Sequence, residues 1–293
     1  EIYQCDWSSD VCSSDLVVRV LAVAGLGLVG LIAVVLLRAV TWKAPNYDAR
    51  ASLPQVAAVD VDAAARHLSE AIRLQTVSNQ DPADNAWGEW DRLHAWMQAT
   101  YPAAHRRLTR TELGRTLIYV WPGADPSLKP LVLMAHQDVV PVDPTTLGRW
   151  KHAPFSGEIA DGAVWGRGAM DDKGSLVGIL EAVDLLARQG WRPKRTVYLV
   201  FGHDEEAGGS GARAAAAWFK AHGVTPELVL DEGGLSLTAD PLNHRPMALI
   251  GIAEKGYATL KITARGDGGH SSAPPEQMAV QVLAKAEIGR AHV

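Results

Sequence analysis

Between residues 136 and 231, one histidine and five carboxylates stand at the ends of apolar runs: His136 with Asp138 two positions on, Asp171, the pair Glu205 and Glu206, and Asp231. Acid side chains gathered at one place repel each other unless cations lie between them, so this set predicts a site for two divalent ions. Hydrolysis by activated water is the chemistry such a site offers.

Each group has a plainer reading to set beside that one. Residues two apart in a strand point the same way, so Asp138 can hold the ring nitrogen of His136 that faces away from a metal, whereas a lone His-x-Asp is as easily a solvated loop. Asp171 lies in GRGAMDDKG at 166–174, a glycine-punctuated loop entering a helix. A carboxylate there either caps the helix or bridges two ions with one oxygen on each. GHDEEAGG at 202–209 is either an exposed acidic turn or a division of labour, with Glu206 on a metal and Glu205 free to take a proton from water. VLDEGG at 229–234 repeats the order of strand, acid and glycines. Together these strand-end acids are harder to dismiss than any one of them.

Such groups need a frame to hold them. Short apolar runs at 116–121, 131–135, 196–201 and 227–230 alternate with helical segments at 176–188 and 212–222. This predicts an α/β domain, a mostly parallel sheet flanked by helices, with ligands collecting beyond the carboxyl ends of the strands. Upstream, Asp60 or Asp62 caps a helix reaching about Leu74, and Trp90, Leu93, Trp96 and Met97 recur at helical spacing in a second, over 87–100. Residues 76–86 read as a polar loop. Alternating apolar and polar residues at 258–264, a glycine-rich turn at 266–269 and a helix from near Pro275 begin a second, α+β domain.

Residues 20–37 carry no charge, and at about 1.5 Å per residue they can cross a hydrocarbon core of about 30 Å. The stretch reads as a transmembrane anchor, with a cleaved signal as its rival, and the domain downstream of it is expected outside the cytoplasm. The two cysteines, Cys5 and Cys12, precede it, which excludes a disulfide framework and a thiolate zinc site. A net charge of -5 without a Lys/Arg stripe argues against nucleic acid as a partner.

The set His136-x-Asp138, GRGAMDDKG, HDEEAGG, VLDEGG and GGHSSAPP, in that order over residues 59–284, resembles the M20 family of co-catalytic zinc metallopeptidases, most closely its carboxypeptidase S and PM20D1-like branch. The resemblance implies a zinc-exopeptidase-like fold with an inserted lid and dimerisation domain. It implies two zinc ions, with His136 and Asp231 on one, Glu206 on the other, Asp171 bridging, Glu205 as general base and Asp138 orienting His136. His270 of the lid is implied to bind substrate, often across a homodimer interface. Small peptides or N-acyl amino acids with a free carboxylate are the implied substrates. An M28-like aminopeptidase shares a similar metal arrangement but not the GGHSSAPP segment. A membrane-tethered binding protein without turnover is the rival from another class, and Glu205 has no evident purpose in it.

The expected organisation is a non-native leader at 1–16, an anchor at 17–38, a linker at 39–56, an incomplete catalytic domain at 57–247, the start of the lid at 248–286 and a non-native tail at 287–293. On this reading the second zinc's histidine and a carboxylate-reading arginine lie past Val293. The chain ending there is then expected to be inactive, and the intact protein active.

Overall fold

The computed structural model describes residues 10–41, 58–239, 244–253, 261–266 and 278–290. They fall in two units, Glu1–Ala58 and Val59–Val293. In the first, helix α1 (Asp10–Thr41) contains the apolar stretch Val18–Thr41, none of it buried. Its length and composition suit a membrane anchor and a signal sequence alike.

The second unit opens with α2 (Val61–Arg73), which starts where the Asp60 carboxylate accepts the Ala63 N–H at 2.9 Å. In α3 (Gly88–Thr100), Trp90, Leu93 and Met97 line one face and are fully buried, the core role their spacing predicts. The short α4 (Pro102–Arg107) is capped from a distance: Asp184 accepts the N–H groups of Ala103 and Ala104 at 2.8 and 2.9 Å. A hairpin follows, β1 (Thr109–Leu113) and β2 (Thr116–Trp121), turning at Gly114, whose φ of +64° is the left-handed conformation such a tight turn needs. Then come β3 (Leu131–His136), a small hairpin of β4 (Glu158–Ala160) and β5 (Ala163–Trp165), α5 (Lys173–Arg188), β6 (Val197–Gly202), α6 (Ser210–Ala221) and β7 (Leu228–Leu230). A hairpin of β8 (Leu235–Leu237) and β9 (Met247–Leu249) and the helix α7 (Ala279–Arg290) complete the described strands and α-helices, beside two short 3-10 helices, Pro82–Asp84 and Pro144–Arg149.

The central sheet has five strands in the order β1-β2-β6-β3-β7. β3 pairs in parallel with β6 and β7, but β2 is antiparallel to both β1 and β6. The expectation of a mostly parallel sheet is therefore corrected to a mixed one. The tight turn at Gly114 reverses the chain, and β2 enters the sheet against the direction of the other buried strands.

Both sheet faces are covered. Leu117, Tyr119, Leu199 and Phe201 pack with Leu176, Leu180 and Val183 of α5 and with α2, α3 and α4, while the alternate positions Ile118, Val132 and Val200 pack against Ala215 of α6. Burying each such aliphatic or aromatic side chain contributes about 1.5–3 kcal/mol. β7 is the exception, with Leu228 and Leu230 each 56% exposed.

Of the expected second domain, residues 261–266 carry no strand, and residues 258–260 and 267–277 lie outside the described residues.

Candidate metal centre

The parallel strands β3, β6 and β7 end at one edge of the sheet, and the β3–β6 register sets His136 opposite Gly202. The segments beyond them, His136–Asp138, His203–Gly209 and Asp231–Gly234, are thereby neighbours. The helix-entry loop carrying Asp171 and Asp172 joins them, because α5 packs on β3.

Asp138 is the hub. It is fully buried, and its carboxylate accepts three hydrogen bonds, from the Ser78 hydroxyl at 2.6 Å and from the main-chain N–H groups of Glu205 and Glu206 at 3.1 Å each. His136, 3% exposed, donates from Nδ1 to the main-chain oxygen of Asp138 at 2.9 Å, with the Asp138 carboxylate at 3.3 Å. One buried acid thus fixes the imidazole on one side and the Glu205–Glu206 turn on the other. The turn is held a second time by Asp204, which accepts the N–H groups of Ser210 and Gly211 at 2.9 and 2.8 Å and so caps α6.

The other ring nitrogen of His136 looks outward. Nε2 lies 2.8 Å from an Asp171 oxygen and 3.4 Å from a Glu232 oxygen. His136, Asp171 and Glu232 each offer one atom within 4.8 Å of the others. Two of those spacings, 2.8 and 3.4 Å from His136 Nε2, fall inside the span of about 4.4 Å that separates ligands of one zinc ion, and the nitrogen and oxygen atoms are those zinc accepts. Asp172 accepts the His136 N–H at 3.2 Å, while its other oxygen is buried without a partner.

The electrostatics carry the same signature. Burial works against a charged His136, but the hydrogen bond and charge of Asp138, then the charge of Glu232 and the hydrogen bond to Asp171, outweigh it and push the imidazole up to about 10. Burial, reinforced by the surrounding acids, raises Glu205 and Glu206 above the usual carboxylate range, and the same causes push Glu232 up to about 7. Acids crowded in this way favour any cation, proton or metal, that lowers their mutual repulsion.

The sequence pattern of Peptidase family M20/M25/M40 matches residues 132–289, more than half of the chain. The chain belongs to this peptidase family. An M28-like alternative falls away with that assignment. Among its M20 relatives, the chain is 41% identical over 230 residues to the probable carboxypeptidase S-like 2 of Dictyostelium discoideum, covering 76% of this chain and 44% of that protein. It is 38% identical over 233 residues to carboxypeptidase S of Saccharomyces cerevisiae, covering 74% and 39%. To the human N-fatty-acyl-amino acid synthase/hydrolase PM20D1 it is 42% identical over 165 residues, covering 56% and 32%. The chain therefore spans less than half the length of these relatives.

Of the residues singled out from the M20 motifs, the structure brings His136, Asp138, Asp171, Glu205 and Glu206 to one edge of the sheet. Asp231 is there too, but its carboxylate accepts the N–H of Glu232 at 2.9 Å, and it is Glu232 that reaches His136. His270 lies outside the described residues. Sequence reasoning misses Ser78, which sits in a segment that reads as a polar loop. Val77 in fact bridges Val139 in parallel, and the Thr76 hydroxyl donates to the Gln137 oxygen at 2.6 Å. The β-prone Thr-Val-Ser triplet is the signal that could have found it.

Proposed function

We propose that this M20 protein is a metal-dependent hydrolase that cleaves the amide bonds of small peptides or N-acyl amino acids bearing a free carboxylate. The observation that carries the reading is the meeting of His136, Asp171 and Glu232 beside the Glu205–Glu206 turn, with His136 and the turn both held by Asp138. The names of the relatives, carboxypeptidase S and an N-fatty-acyl-amino acid synthase/hydrolase, support the substrate class.

His136, Asp171, Glu206 and a carboxylate from the segment after β7 would hold two zinc ions. The family resemblance assigns that last place to Asp231; proximity to His136 favours Glu232. The ions supply Lewis acidity for a water and for the scissile carbonyl. Glu205, held above its ordinary value by burial, takes the water's proton as the water oxygen bonds to the carbonyl carbon, then returns a proton to the leaving nitrogen as the C–N bond breaks. Asp138 keeps the His136 ring in one orientation throughout. The family resemblance gives His270 a part in substrate binding, often across a homodimer interface. The length and apolarity of α1 support a membrane anchor, and a hydrolase domain outside the cytoplasm is the location proposed with it.

Zinc content and hydrolysis of N-acyl amino acids and blocked dipeptides by the full-length protein test this reading. Glu205→Gln is expected to keep its zinc and to lower kcat by about 10²–10⁴-fold. Wild-type protein that holds zinc without turnover would instead be a binding protein.

A further inference from the structure

Lys173 is the first residue of α5 and is fully buried. Both facts run against local physics: an ammonium in the first turn of a helix faces the positive end of the dipole, and a buried charge is costly unless it is well partnered. Residues that break local rules are held by something distant. The Lys173 ammonium donates to the main-chain oxygens of Ala71, at 2.9 Å, and of Leu74. Those oxygens close the carboxyl end of α2, where carbonyls lack helical partners and a cation is favoured. The side chain's stem runs past Gly168, which has φ +88° and whose missing Cβ would sit 2.8 Å from Val139 and 3.3 Å from the stem. Lys173 therefore ties the end of α2 to the loop that delivers Asp171 and Asp172 to His136.

We propose that Lys173 is a positioning residue for the metal centre: its ammonium, fixed on the Ala71 and Leu74 carbonyls, sets where the Asp171 carboxylate meets the His136 ring. The proposal rests on the metal reading above. It separates from that reading in a cobalt(II) titration of the full-length protein, followed by the visible absorption of the bound ion. Lys173→Met removes the donors at similar length, while Leu180→Ala, at a buried position further along α5, lowers stability without touching the loop. The expected result is cobalt binding at least about tenfold weaker in Lys173→Met, with an altered spectrum, and binding within about twofold of wild type in Leu180→Ala. Wild-type affinity and spectrum in Lys173→Met overturn the proposal while leaving the metal reading intact; a wild-type protein that takes up no cobalt overturns both. If Lys173→Met does not fold, Lys173→Gln decides on the same criterion, with binding at least about fivefold weaker supporting the proposal and unchanged binding overturning it.

Discussion

The two arms of the candidate metal centre are built differently. The His136–Asp138 arm is sealed: the side chains are 3% and 0% exposed, and both ring nitrogens and both carboxylate oxygens have partners. The arm of Asp171 and Glu232 is open, with side chains 65% and 30% exposed, and it meets the sealed arm at His136 Nε2. The sealed arm is fixed by folding; the open arm joins it through His136 Nε2 and stays in contact with solvent. Under the proposed function, rigid geometry on one side with exposed carboxylates on the other would let a single site bind an ion and still admit substrate.

The largest expected effect is on pH. His136, pushed up to about 10, is protonated across the neutral range in the metal-free protein, so zinc must displace that proton. Zinc affinity, measured by chelator competition, is expected to rise about tenfold per pH unit, or about a hundredfold from pH 7 to 9, and more steeply below pH 7, where Glu232 adds a second proton. A flat profile would break the contrast, since the sealed arm would then not be holding a cationic ring. Next in size, Asp138→Asn leaves one acceptor oxygen where three donors converge and is expected to weaken zinc binding by about 10–100-fold. Smallest is the choice within the open arm. Glu232→Gln is expected to weaken zinc binding about tenfold and Asp231→Asn only about twofold, with the reverse order returning the ligand to Asp231.

Much of this was legible from residue types. The Asp60 cap, the tryptophan-bearing face of α3 and the placement of acids after β3, β6 and β7 follow from periodicity and from the strand-end rule. Strand direction was not legible. A buried apolar run such as 116–121 reads the same parallel or antiparallel, and its hairpin partner Thr109–Leu113 is polar enough to pass for a loop. Nor could adjacency be resolved: Asp231 and Glu232 are consecutive, and which of them reaches His136 depends on how the chain turns after Leu230. Lys173 was invisible for a different reason, since its partners are main-chain oxygens 102 and 99 residues upstream, and no side-chain pattern records them.

The buried side chain of Gln137, between His136 and Asp138, donates to the main-chain oxygens of Arg115 at 2.9 Å and Phe201 at 2.7 Å, and accepts from His94 at 2.6 Å. In the strands it links, both faces are apolar, so sliding one past its neighbour by a single residue would exchange one greasy surface for another at small cost in polarity. The amide supplies the missing discrimination: only in correct alignment do its donors and acceptor all find mates. The frame of the candidate metal centre is therefore also a stop that keeps the strands in step.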